Sequence, residues 1–221
     1  MLLTLFLGLN YNVEQKKISW ICLIIFSALI NFYFTAMIVA TYSFLRLFNL
    51  KFDKQSFYKL IRDAAIIAPL LITVLYVVGY FEIRMVDTLT VGFAYHKLNI
   101  LSIFDPVNTY SWSWFLPDIK LSEGEEIEGF NYLGLGQIIM ITFSTFLFFN
   151  KNYKDQLLSI KNNKQIKAFI IISLFLTLWA LSNKISIGSY TLEIPINKYI
   201  FGALSIVKST GRLFWMVNYL L

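Results

Sequence analysis

Charge is scarce in this chain. Only 14% of its 221 residues are charged, too few to wet the surface of a soluble domain of this size. Cysteine occurs once, as Cys22, so an internal disulfide is excluded; inside an apolar run it is expected to act as a small buried hydrophobe. Histidine also occurs once, as His96, without a nucleophile motif or a partner at ligand spacing. A Ser-His-Asp centre, an H-E-x-x-H zinc helix and a C-x-x-C redox pair are therefore excluded, and no metal is assigned to His96.

In place of charge there is hydrocarbon. The chain is 57% hydrophobic and 18% aromatic, with mean hydropathy +0.64. Between Ile18 and Leu45 run 28 residues without one charged side chain, more than the roughly 20 that a bilayer-crossing helix requires. Lipid gives the backbone no hydrogen-bond partner, so such a run must be helical. Further charge-free windows run over Ala64–Phe81, Gly129–Asn150 and Ala168–Asn183. The expectation is an all-α fold: one polytopic transmembrane helix bundle over residues 1–221 with a large ordered external loop. Spans are expected near 18–45, 64–81, 132–149 and 168–183, with partial spans at 1–10 and 213–221. Both ends look cut: Met1 opens on an apolar stretch too short to cross, with no basic n-region or small-residue cleavage site. The chain is accordingly expected to be a fragment of a larger membrane protein.

Basic residues gather in two connections, Arg46, Lys51, Lys54, Lys59 and Arg62 in one, and Lys151, Lys154, Lys161, Lys164 and Lys167 in the other. The positive-inside rule puts both in the cytoplasm and the connections 82–131 and 184–212 outside. The net charge of +6 is then a topological signature, with membrane lipids as partners and nucleic acid excluded.

The loop 82–131 is long for a compact protein, and ordinary connections make it either disordered or functional. Tyr95, Phe104, Tyr110, Trp112, Trp114, Phe115 and Phe130 are too many aromatics for a solvated linker, and Pro106 and Pro117 divide it into rigid pieces. An aromatic belt in the headgroup layer and the wall of a substrate cleft need the same amphipathic rings, and both readings stand. Eight of the 13 acidic residues fall here, among them Asp105 and the run Glu123–Glu128. That run is a solvated acidic turn in the simplest reading, though carboxylates so placed suit a hard divalent cation. Glu128 stands where the chain enters the membrane, Asn131 is the expected N-cap of the following span, and the glycines at 129, 134 and 136 serve helix packing. No phosphate-binding glycine loop is present.

Beyond Asn183, Lys184–Pro195 alternates around Gly188-Ser189 like a small hairpin, and Tyr199–Val207 has the make-up of an interfacial helix. Lys208 and Arg212 then flank a small turn. Snorkelling to headgroups is the default for a cation at a membrane edge, and phosphate binding is the functional alternative. Arg212 is the better phosphate ligand, because guanidinium binds phosphate oxygens in pairs and keeps its charge when partly buried.

Tyr95-His96-Lys97-Leu98-Asn99, Phe104-Asp105-Pro106, Glu128-Gly129-Phe130-Asn131-Tyr132-Leu133-Gly134-Leu135-Gly136 and Ser209-Thr210-Gly211-Arg212-Leu213-Phe214-Trp215 resemble blocks of an uncharacterised family of large bacterial polytopic membrane proteins. That family is similar to the GT-C glycosyltransferases, and the resemblance covers Gly79 to the C-terminus. It implies sugar transfer from a polyprenyl-phosphate donor at the external face of the bacterial inner membrane. It also implies a catalytic acid in a first external loop that this chain lacks, so no catalytic residue is carried over and the fragment alone is expected to be inactive. The candidate substrate-binding residues are His96, Lys97, Asp105, Glu128, Asn131, Lys208 and Arg212. Two other functions compete: a transporter or flippase of lipid-linked or anionic solutes, and a non-catalytic assembly subunit. Transporters are marked by ionisable residues or broken helices at mid-membrane, neither of which is evident here, Pro69 fitting the first turn of its span.

Overall fold

The structure is a computed structural model that describes residues 1–11, 13–50, 54–82, 93–105, 119–121, 131–149, 163–204 and 207–221. The described chain is mostly helical and divides into two compact units, residues 1–84 with 160–172 and residues 85–159 with 173–221.

In the first unit, α1 covers Leu2–Asn10, α2 Lys17–Ile30, α3 Phe32–Phe48 and α4 Lys54–Val77. The uncharged run from Ile18 to Leu45 is thus not one helix. At 1.5 Å per residue it would measure about 42 Å, well beyond the roughly 30 Å of a hydrocarbon slab. The break is at Asn31, whose extended backbone (φ −162°, ψ 131°) leaves helical space. Its N–H donates to Ser27 O at 2.8 Å, closing α2, and its side-chain oxygen accepts from Tyr33 N–H at 2.8 Å, opening α3. Asparagine is among the strongest N-caps, and one such residue ends one helix and begins the next.

The two helices fold back on each other. Ser27 Oγ donates to Thr35 Oγ1 at 3.2 Å near the turn, and the Trp20 and Tyr42 rings meet at 5.7 Å farther down. Ile24, Ala28, Met37 and Ile38 fill the seam and are buried. Phe32 N–H, at the turn, donates to the Tyr80 hydroxyl just beyond α4.

Gly8 of α1 is a point of close approach. A Cβ there would meet the Phe169 ring at 2.5 and 2.8 Å and Leu45 at 3.0 Å. Phe169 is itself buried and cannot swing aside. Gly8→Ala is expected to lower stability by about 1–3 kcal/mol, the usual cost of overpacking, as a reduced melting temperature of the purified protein. An unchanged melting temperature would contradict this packing.

Helix α4 starts ten residues before the charge-free window, so Pro69 lies in its interior rather than in its first turn. Only Asp63 and Ile67 of α4 are buried, while Ile61, Ile66, Leu70, Ile72 and Tyr76 are exposed. Helix α5 covers Leu135–Phe148, and α6 covers Lys164–Leu181, contributing to the first unit up to Ile172 and to the second thereafter. Among the described residues, two helices, α4 and α6, are long and apolar enough to cross a membrane. Cys22, expected inside, lies exposed on α2 among other exposed apolar residues.

The second unit contains the expected hairpin. Strands β1 (Lys184–Ile187) and β2 (Tyr190–Glu193) pair antiparallel with Ile187 opposite Tyr190, so Gly188 and Ser189 form a two-residue turn. Gly188 has φ +60°, the left-handed value such turns require. A short helix, α7 (Lys198–Leu204), overlaps the stretch Tyr199–Val207. A 3-10 turn over Thr210–Phe214 leads into α8, Trp215–Leu220.

Candidate functional site

In the second unit, segments far apart in sequence are tied by backbone hydrogen bonds. Leu98 N–H donates to Ala180 O at 2.9 Å, Gly211 N–H to His96 O at 3.0 Å, and Leu133 N–H to Ile103 O at 3.1 Å. Thr210 Oγ1 donates to the same Ala180 oxygen at 3.3 Å. Backbone groups this far from water need such partners, and the segments supply them to one another.

Asn99 organises the hairpin side. Fully buried, it donates to Gly188 O at 2.7 Å and accepts from Gly188 N–H at 2.9 Å, reproducing with a carboxamide the pairing a neighbouring strand would give. Its oxygen also accepts from Leu101 N–H at 3.0 Å, capping the 3-10 turn Ile100–Ile103.

The expected site residues fall as follows. His96 presents its carbonyl to Gly211, and its ring stands edge-on to Tyr95 at 4.9 Å. Lys97 and Asp105 are buried, and Asp105 Oδ1 accepts from Ile119 N–H at 3.4 Å. Asn131 is buried and donates through Nδ2 to Gly211 O at 3.2 Å. It does not cap the following helix, contrary to expectation. That helix begins at Leu135 behind Gly134, whose φ of +83° makes the turn into it, three residues too late for the Asn131 side chain to serve. Lys208 and Arg212 are half-buried, with the Arg212 guanidinium 5.7 Å from the centre of the Trp215 ring. The blocks carrying His96, Asn131 and Arg212 therefore converge on Gly211. Glu128 and the rest of the run Glu123–Glu128 lie outside the described residues, as do Trp112 and Trp114.

Beside this junction a cavity of about 470 Å³ is lined by Asn131, Tyr132, Gln137, Trp215, Asn218 and Tyr219. Trp215, Asn218 and Tyr219 are spaced i, i+3, i+4 on α8, so they share one face. Gln137, in the first turn of α5, donates through Nε2 to Asn218 O at 2.8 Å. Gln137, Asn218 and Tyr219 escaped the reading by motifs, and Trp215, though it closes the block Ser209–Trp215, was not singled out, because an aromatic or amide at a helix end is ordinary in a membrane protein.

A second polar centre, in the first unit, was also missed. The Asp63 carboxylate of α4 is buried and accepts from Arg46 Nη2 at 2.7 Å, from the Tyr42 hydroxyl at 3.3 Å and from Lys17, while Arg62 stands 3.6 Å away. Arg46 reaches through Nη1 to Glu14 at 2.9 Å, and Lys59 lies 3.7 Å from the same carboxylate. Its hydrogen bond with Arg46 holds Glu14 below the usual carboxylate range. That contribution is present at neutral pH and is lost as acid protonates the group. The signal available in the sequence was Asp63 itself, one of two acids, with Asp53, among Arg46, Lys51, Lys54, Lys59 and Arg62, and the one that adjoins the charge-free window.

The family described as a domain of unknown function, DUF6311, matches residues 1–221. No curated protein and no solved structure matches the chain.

Proposed function

We propose, for a chain that belongs to the DUF6311 family, that it is part of a multi-pass protein of the bacterial inner membrane that uses a lipid-phosphate-linked sugar at the external face, as a glycosyltransferase of the GT-C type does. The exposed apolar faces of α4 and α6 support the membrane part of this reading, since contiguous hydrocarbon of that extent calls for lipid around it. The observation that carries the chemistry is the meeting of Arg212, Asn131 and His96 around Gly211, beside a cavity of aromatics and carboxamides. A guanidinium at the rim of a partly dry cleft can hold a phosphate, leaving the attached sugar to the rings and amides. Lys208 adds a second cation, and Glu128, known here from sequence alone, contacts sugar hydroxyls or a divalent cation.

In the protein that contains this chain, Arg212→Ala and Glu128→Gln are expected to abolish the cell-surface glycan or glycolipid product with protein levels unchanged. Normal product in both variants would overturn the reading. One observation favours a second reading, a transporter or flippase of lipid-linked or anionic solutes. It is the Asp63–Arg46–Lys17 network, in which Asp63 and Arg46 are buried among the helices of the first unit, since ionisable groups inside a helix bundle often line transport pathways. Uptake by reconstituted protein without glycosyl transfer would select that alternative.

A further inference from the structure

The hairpin of β1 and β2 keeps its polar and apolar side chains on separate faces, and we infer that it is an interfacial anchor. Its apolar face lies on the lipid headgroup layer at the end of α6 and holds the Gly211 junction at that level. This rests on the membrane part of the reading above and is independent of the proposed chemistry.

The register sorts the side chains. Ile185 stands opposite Leu192 and Ile187 opposite Tyr190, while Lys184 stands opposite Glu193 and Ser186 opposite Thr191. Opposed residues share a face and successive residues alternate, so one face is wholly apolar and the other wholly polar. The polar face is paired within itself, Lys184 Nζ lying 3.2 Å from the Glu193 carboxylate and the Ser186 and Thr191 hydroxyls bonding at 2.8 Å. On that face Ser186 is fully buried, whereas on the apolar face Ile187 is 50% exposed, Tyr190 83% and Leu192 66%. A sheet beside water alone turns its polar face outward, and this one presents hydrocarbon instead.

What covers that face follows from what the hairpin is tied to. Helix α6, read above as a membrane span, ends at Leu181, and β1 opens at Lys184, about 11 Å farther at full stretch. The link is pinned: Ser182 N–H donates to Trp179 O at 3.1 Å, Asn183 N–H to Ser182 Oγ at 2.6 Å, and Ile194 N–H to Asn183 O at 2.8 Å. The layer between hydrocarbon and bulk water is about 5–8 Å deep on each side of a bilayer, so so short a link keeps the hairpin at its level. Lipid is thus at hand for this face, whereas a partner protein would have to be brought to it. Two features suit that layer in particular. Tyrosine gathers there, and Tyr190 and Tyr199 are both exposed. Among the described residues β2 has β1 as its sole strand neighbour, and an open edge is shut out of the hydrocarbon but accepted where water reaches. Asn99 clasps Gly188, and Leu98 N–H and Thr210 Oγ1 both donate to Ala180 O of α6, so a hairpin resting on the surface fixes the segments that meet at Gly211.

The test uses the protein that contains this chain, with Cys22→Ser, reconstituted in vesicles of phosphatidylethanolamine and phosphatidylglycerol. Spin labels are placed one at a time through Ile187→Cys, Tyr190→Cys, Leu192→Cys, Thr191→Cys and Glu193→Cys. Leu174→Cys and Leu178→Cys, on the exposed face of α6, report the span itself. Relaxation is read with oxygen, which partitions into lipid, and with a nickel chelate, which stays in water. The oxygen-to-nickel ratio is expected to be severalfold higher at 187, 190 and 192 than at 191 and 193, alternating residue by residue along β2. Nickel dominating at all five positions would mean a hairpin in water and would overturn the assignment. So would labels at 187, 190 and 192 that neither reagent reaches, the sign of a face covered by protein, whether a second copy or another segment. In both of those cases oxygen-rich labels at 174 and 178 would leave the membrane reading standing while the anchor falls. Labels at 174 and 178 relaxed mainly by nickel would remove the span and the anchor with it. If the alternation holds and Arg212→Ala leaves the glycan product normal, the transferase reading falls and the anchor stands.

Discussion

Replacing Asp63 by alanine is expected to destabilise the first unit by about 3–5 kcal/mol, the range found when one member of a buried ion pair is removed. The carboxylate serves Arg46, Lys17 and the Tyr42 hydroxyl at once. Its loss takes from Arg46, itself buried, the closer of its two carboxylates and leaves it Glu14, and it removes the link that joins α2, α3 and α4 at one level. Thermal unfolding of the purified protein in detergent would show it as a large drop in melting temperature. A double variant, Asp63→Leu with Arg46→Met, should recover much of that loss, because a buried pair replaced by packed hydrocarbon is often close to neutral. An Asp63→Ala variant that melts like the parent would mean the network contributes nothing to holding these helices.

The second large effect is expected at Asn99. Asn99→Ala removes three hydrogen bonds, two to Gly188 and one to Leu101, and leaves the Gly188 amide and carbonyl without their partner. At about 1–3 kcal/mol for each buried polar group left unsatisfied, the total reaches several kcal/mol. The loss is local in kind, so amide hydrogen exchange is the informative measurement. Residues 184–193 should exchange much faster in the variant, while residues 17–48 in the other unit keep their protection. Uniform change in both regions, or none in the hairpin, would refute the role assigned to this carboxamide.

These two residues also mark the limit of what can be read without coordinates. The hairpin was legible because alternation around Gly188-Ser189 is a local pattern and a positive φ at the first turn position has few substitutes for glycine. The clasp beneath it was not, since Asn99 and Gly188 are 89 residues apart and either would suit a loop. The break at Asn31 left a local sign, a strong N-cap inside a run too long for one crossing, which apolarity outweighed. Arg212 and Asn131 were singled out because they stand in distinctive blocks. The expected capping role of Asn131 failed because Gly134 performs the turn and frees the carboxamide for a tertiary bond. Asp63 was passed over because an acid in a basic connection looks like one more solvated charge until burial is known.

The turn at Asn31 also alters how the chain must be threaded. Lys17 and Arg46, at opposite ends of the uncharged run, share one carboxylate, so both ends of that run emerge at the same level. Counted as a single crossing, the run would put those two cations on opposite leaflets. Counted as an out-and-back pair, the run brings residues 17 and 46 to one face. In the protein that contains this chain, single cysteines at positions 17 and 46 that react from the same side with a membrane-impermeant thiol reagent would agree with the second count.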